Sequence, residues 1–318
     1  MERKAFSFFD IADRKVAFLQ HVLRKDEYSM HERAVREEKE CLLERGYSQN
    51  SVYMNELKRI IQNNGRVISR ICVSVTNQCT LKCEKCNDLM PYCEKKYFAE
   101  IAKLIAQIKK ITSCLDLIVN LEIIGGESLL HKDLPRLIEN ITENDKIQWV
   151  EITTNGTVMP SEELINQIQN PKVVLKISNY GKLNSKKIRD IIRNGREKGY
   201  KCIVLKNWDW LDSGSVECRN RNKWHLMYDF FQCDARKDCR LLYNGKLFVC
   251  GRAPILHEIG KTIGSEVDWV DIENVSECEL WGKIRRFYSM KYANSCNYCD
   301  YAEDNVRLIK SGVQKTKI

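Results

Sequence analysis

The stretch VTNQCTLKCEKCN places Cys79, Cys83 and Cys86 at C-x3-C-x2-C, immediately after the apolar run RVISRICVSV. Thiolates are metal ligands, and three on one short loop can reach a common centre. A structural zinc site closes with four protein ligands, so this set would need a fourth, which Cys93 could supply. An iron-sulfur cube held by three thiolates instead leaves one iron free for something else. A second set lies far along the chain, at Cys233, Cys250 and the C-x2-C pair Cys296 and Cys299. Four thiolates there suit a closed zinc site or a fully ligated cluster.

Fifteen cysteines are many for 318 residues. The start, MERKAFSFFDIADRKVAFL, is interrupted by Asp10, Asp13, Arg14 and Lys15, and no run of about eighteen apolar residues follows. Neither a signal peptide nor a membrane span is readable, so a cytoplasmic protein without a membrane partner is expected. In a reducing compartment the cysteines read as thiols and metal ligands rather than disulfides. Cys41, Cys72, Cys114 and Cys202 fall within apolar or helical pattern and read as small buried hydrophobes. The net charge of +9 favours anionic partners in general, but the signs are interspersed. No basic stripe interleaved with aromatics argues for nucleic acid.

The elements that must position these residues follow from periodicity. Residues 1–66 carry helical spacing with mixed charge and end in an Asn-Gly stop, a helical extension whose charged stripe reads as a solvated face. Residues 67–212 alternate short apolar runs with amphipathic helices, the pattern of parallel strands joined by crossovers. Five strands are visible and a sixth is expected, giving an α/β, TIM-like partial (β/α)6 barrel with its chemistry at the carboxyl ends of the strands. Residues 213–318 break the alternation and open a smaller module with a hairpin, RLLYNGKLFVC, turning at Asn244-Gly245.

Polar motifs fall at the strand ends: Gly125, Gly126 and Glu127 after the second, Thr153 to Gly156 after the third, Ser178 to Gly181 after the fourth. Glycine admits a close ligand where no Cβ intervenes, and Asn155 and Ser178 offer donors and acceptors, although both also suit plain turns. After the fifth strand, Lys206, Trp208, Asp209, Trp210 and Asp212 could face a cavity or form a solvated loop; no catalytic residue is assigned.

In order along the chain these motifs resemble the radical SAM superfamily. The resemblance implies that Cys79, Cys83 and Cys86 hold a [4Fe-4S] cluster whose fourth iron is chelated by S-adenosylmethionine. It implies that Gly125, Gly126 and Glu127 receive the methionine ammonium, while Asn155 and Ser178 meet ribose and carboxylate. Lys85 departs from the aromatic that many members carry before the third cysteine, which leaves the grip on adenine open. The pattern Cys233-x11-Gly245-x4-Cys250 with the distant Cys296 and Cys299 resembles the twitch half of SPASM modules, implying one auxiliary [4Fe-4S] cluster and two in all. Cys239 is the rival to Cys233, but its spacing to Gly245 is short for that pattern.

Similarity to the aminoglycoside-pathway radical SAM dehydrogenase implies an oxidoreductase. Reductive cleavage of S-adenosylmethionine, fed by an external reductant such as flavodoxin or ferredoxin, would yield a 5′-deoxyadenosyl radical. The radical would abstract hydrogen from a hydroxylated small molecule of sugar or cyclitol type, with the auxiliary cluster accepting an electron. Peptide or protein modification and epimerisation are the enzymatic alternatives. A zinc-bound interaction protein is the non-enzymatic one.

Overall fold

The computed structural model describes Phe18 and residues 27–206, 209–234, 239–262, 267–304 and 306–315. Two helices come first, α1 (Glu27–Glu44) and α2 (Val52–Gln62), the second capped by the Ser51 hydroxyl accepting from Met54 N–H. The chain then alternates: β1 (Val67–Thr76), α3 (Ile101–Ser113), β2 (Leu117–Gly125), α4 (Leu134–Thr142), β3 (Ile147–Thr154), α5 (Glu162–Ile168), β4 (Val173–Asn179), α6 (Ser185–Lys198) and β5 (Cys202–Lys206). In α4 the residues Leu134, Leu137, Ile138 and Ile141 recur at helical spacing and are buried, so one apolar stripe docks the helix on the sheet. Ile71, Val73, Ile123 and Ile152 of the strands share that core with Leu104 and Ile108 of α3.

Strands β1 to β5 are all parallel and lie side by side in chain order, the arrangement of a partial barrel. The sixth parallel strand comes from an unexpected place. It is β7 (Leu241–Tyr243), which lies at the free edge of β1, with Cys72 N–H donating to Arg240 O at 2.7 Å. The chain returns antiparallel through β8 (Lys246–Phe248) and β9 (Trp269–Asp271). Asn244 and Gly245 both have positive φ, 44° and 79°, which matches the twist of a two-residue hairpin and explains their residue types. The segment after β5 forms β6 (Asp209–Leu211), which pairs antiparallel with β10 (Leu308–Lys310) in a separate sheet. Helices α7 (Lys223–Gln232), α8 (Ala253–Glu258) and α9 (Glu277–Tyr288) complete the C-terminal part, whose hairpin continues the barrel sheet.

The helical extension is corrected in one respect. The charged face of α1 is only partly solvated: Glu32, Arg36, Lys39 and Glu40 are exposed, but Glu37 and Glu38 are 1% and 0% exposed. Glu37 accepts from Asn120 Nδ2 at 2.9 Å and Arg70 Nε at 3.0 Å, and Glu38 accepts from Trp149 Nε1 at 3.1 Å. Lys176 Nζ lies 2.6 Å from Glu151 on the adjoining strands. Polar side chains of β1 to β4 therefore need α1 as a partner, since a buried charge left alone would cost several kcal/mol. Burial raises the carboxyl of Glu38 to about 7, with the Trp149 hydrogen bond and Arg45 opposing. The extension before residue 27 lies outside the described residues, apart from Phe18. Among the described residues no helix is long and apolar enough to cross a membrane.

Candidate active site

The cysteine loop leaves the carboxyl end of β1 and is zipped to the turn after β2. Gly126 N–H donates to Thr76 O at 2.9 Å and Glu127 N–H to Gln78 O at 2.8 Å. A Cβ on Gly126 would stand 2.4 Å from Gln78 O, and one on Gly125 2.6 Å from Thr76 O. Glycine is required here by the approach of two backbones, and both glycines also line the adjoining cavity. Cys79, Cys83 and Cys86 then line one cavity of about 260 Å³ together with Gly125, Gly126 and the β3 and β4 ends at Asn155 and Ser178. The residues singled out in the sequence are thus brought together, Glu127 excepted. Cys93 does not line this cavity; it accepts from Asn77 Nδ2 at 3.4 Å.

Glu127 is 1% exposed and does not line the cavity. Its carboxylate accepts from Leu129 N–H at 3.0 Å, Thr154 Oγ1 at 2.7 Å and Asn155 N–H at 2.7 Å. The carboxylate thus braces the β2 and β3 ends against each other. Burial raises its pKa, with the three donors opposing. Asn155, so held, donates from Nδ2 to Thr80 Oγ1 at 3.0 Å and Cys79 Sγ at 3.4 Å. Asn184, unremarked in the sequence, donates to Asn155 O at 2.6 Å and Ser178 O at 2.7 Å and so fixes both strand ends. Its position beside the start of α6 was the available signal.

Two aromatic rings share the cavity with the thiols. Tyr180 and Trp210 both line it and pack edge to face, centroids 5.5 Å apart. Lys85, where an aromatic is usual, instead reaches Asp212 Oδ2 at 3.2 Å. Of the loop after β5, Lys206 and Asp209 are exposed, and Asp209 pairs with Lys310 at 2.6 Å, so neither faces the cavity. Trp208 lies outside the described residues.

A second cavity, of about 440 Å³, is lined by Cys233, Cys250, Cys296 and Cys299, and also by Cys239 and Cys72. Burial pushes the Cys296 thiol well up, and the thiols of Cys233, Cys250 and Cys299 push it further, which places those four sulfurs near one another. Cys239 lies beside Cys72, whose thiol donates to Glu122 Oε2 at 3.7 Å. Cys72 is thus more than the packing residue expected, since it opens onto this cavity. Burial likewise raises Cys86 and Cys250, each to about 12, so both thiols are protonated without a cation, and binding one would release protons. Among the described residues, no three His, Cys, Asp or Glu side chains converge on one metal-ion position.

The two cavities share a wall of Asn87, Asp88 and Ile124. Buried Arg252 secures it, donating to Asn87 O at 2.9 Å and to Tyr298 O at 2.9 Å between Cys296 and Cys299. Arg221 holds the same C-x2-C turn, donating to Cys296 O at 3.0 Å and Cys299 O at 2.6 Å. The floor of the second cavity is polar: Glu122 accepts from Thr153 Oγ1 at 2.7 Å and stands 3.5 Å from Arg70. Arg70 and Glu122 escaped the sequence reading because they sit inside apolar runs.

No model of a known protein family matches the chain. Over 138 residues it is 33% identical to the probable GTP 3′,8-cyclase of Methanococcus vannielii, a match covering 42% of this chain and 43% of that one. Over 144 residues it is 30% identical to the GTP 3′,8-cyclase of Desulforamulus reducens, covering 43% and 42%. The chain therefore spans about two fifths of the length of these curated relatives. The crystal structure of BtrN in complex with AdoMet and 2-DOIA is similar over 75% of this chain and 98% of that one, with 16% identity and a TM-score of 0.49, too distant to carry a functional argument. The three-cysteine loop and the Gly-Gly-Glu turn it is zipped to thus stand in a chain that is similar, over about two fifths of its length, to GTP 3′,8-cyclases.

Proposed function

We propose that the chain is a radical SAM oxidoreductase acting on a hydroxylated small molecule of sugar or cyclitol type. The observation that carries this reading is that two thiol-lined cavities adjoin across Asn87, Asp88 and Ile124. On this reading Cys79, Cys83 and Cys86 hold the [4Fe-4S] cluster that binds S-adenosylmethionine, with Gly125, Gly126, Asn155 and Ser178 around the ligand. Cys233, Cys250, Cys296 and Cys299 hold an auxiliary [4Fe-4S] cluster. When bound, these groups supply a hydrogen-abstracting 5′-deoxyadenosyl radical on one side and an electron acceptor on the other. Residues 67–212 together with β7 then form the barrel, the rest of 213–318 the auxiliary module, and α1 and α2 the helical cover of the barrel's polar face. The setting is cytoplasmic, with a flavodoxin or ferredoxin as reductant.

The protein's part is to position the substrate where the cavities meet. Arg70, Glu122 and Thr153 offer donors and acceptors suited to hydroxyl groups. The GTP in the relatives' name would ask for cations free to meet a triphosphate. In this cavity Arg70 already stands 3.5 Å from Glu122 and 3.7 Å from Glu151, and Arg252 is bound to backbone carbonyls. A neutral polyol fits such a lining better. The test is an anaerobic assay with cyclitols deuterated at single carbinol carbons. Deuterium should pass into 5′-deoxyadenosine and the carbinol should become a carbonyl, and replacing Cys296 and Cys299 by alanine should abolish the carbonyl while some S-adenosylmethionine cleavage persists. Unchanged oxidation by the double variant, or a product epimerised or cross-linked without a carbonyl, would move the assignment to the epimerase or peptide-modifying reading.

A further inference from the structure

Residues 308–315 contain no cysteine, yet they lie against the cysteine loop. Glu84 N–H donates to Val313 O at 2.8 Å and Lys315 N–H to Lys82 O at 2.8 Å, so Cys83 and Gln314 form an antiparallel bridge across 231 positions of sequence. Gln314 uses both ends of its amide. Its Oε1 accepts from Lys82 N–H at 2.7 Å, and its Nε2 donates to Gly312 O at 2.7 Å and to Cys83 Sγ at 3.4 Å. Just upstream, β10 pairs with β6 and so holds Trp210 at the cavity wall. Gly312 has φ 68°, and a Cβ there would stand 3.1 Å from Tyr180 and from Leu183, so the strap presses on the second aromatic of the same wall. Lys315 Nζ lies 4.6 Å from the centre of the Tyr92 ring.

We infer that residues 308–315 are a strap built into the S-adenosylmethionine site, in which Gln314 is a positioning residue that holds Cys83 and donates a hydrogen bond to its sulfur. The redox half of this inference rests on the cluster reading above; the ordering of the loop does not. A hydrogen bond to a cluster sulfur stabilises the more negative, reduced state and raises its potential. The two halves of the Gln314 amide can therefore be separated by substitution. Gln314→Ala removes acceptor and donor, whereas Gln314→Glu keeps an acceptor for Lys82 N–H and removes the donor to Cys83.

The experiment uses the full chain and begins with far-UV circular dichroism, which should be the same for wild type and both variants. Amide hydrogen exchange of the cluster-free protein should then show Lys82 exchanging roughly fivefold faster or more in Gln314→Ala, the factor one net hydrogen bond commands, and near the wild-type rate in Gln314→Glu. In the reconstituted protein the midpoint potential of the S-adenosylmethionine-binding cluster, followed by EPR, should fall in both variants. Unchanged Lys82 exchange in Gln314→Ala overturns the strap, and an unchanged potential in both variants overturns the donation to Cys83. If the wild-type chain assembles no cluster, the cluster reading fails and the exchange result alone decides the strap.

Discussion

Replacing Glu127 by alanine tests whether this residue braces the site or touches the ligand. The carboxylate is buried and accepts from Leu129 N–H, Asn155 N–H and Thr154 Oγ1. Without it, two backbone donors and a hydroxyl lose their acceptor, at about 1–3 kcal/mol for each buried group left unpaired. The hydroxyl can rotate to another partner, so the two amides dominate, roughly 2–6 kcal/mol. Part is returned, because burial raises the pKa of Glu127 and the substitution removes that desolvation cost. A net loss of about 2–4 kcal/mol is expected. Urea unfolding of the cluster-free protein measures it, and hydrogen exchange should accelerate at Asn155. Glu127→Gln, which keeps an acceptor, should lose less. A Glu127→Ala protein of wild-type stability that binds S-adenosylmethionine more weakly would refute the bracing argument and restore the carboxylate as the ammonium acceptor.

Asn155→Ala should lower the potential of the S-adenosylmethionine-binding cluster, since it removes the N–H donated to Cys79 at 3.4 Å; EPR-monitored titration checks this. Glu38, raised to about 7, stabilises the fold fully below its ordinary value, and that contribution is lost as pH rises through about 7. The unfolding midpoint in urea should therefore drop between about pH 4.5 and 7, and Glu38→Gln should flatten that drop. Arg70→Met leaves Glu37 and Glu122 without their cation and should cost about 3–5 kcal/mol in the same assay.

The periodic part of this fold was legible because its helices bury clean apolar stripes and its parallel strands are apolar runs. The strand-end motifs were legible because crossovers return every strand end to the same rim. Three features escaped for physical reasons. Strand β7 is three residues long, and nothing in RLLYNGKLFVC says that the hairpin will pair with β1 more than 160 residues earlier. The carboxylates of α1 look like a solvated stripe until Arg70, Asn120 and Trp149 are known to share one face. Glu127 carries a motif whose residue types suggest a ligand, yet its nearest donors are its own neighbours, which only three-dimensional placement reveals. The C-terminal strap was invisible for the same reason: Gln314 gains meaning only beside Cys83.

The most direct measurement is the iron, acid-labile sulfide and zinc content of the anaerobically reconstituted chain, taken with 5′-deoxyadenosine release from S-adenosylmethionine under a strong reductant. The account predicts about eight irons and eight sulfides per chain, falling to about half with no 5′-deoxyadenosine when Cys79, Cys83 and Cys86 are all replaced by alanine. One zinc per chain without sulfide, or release unaffected by the triple replacement, would contradict it.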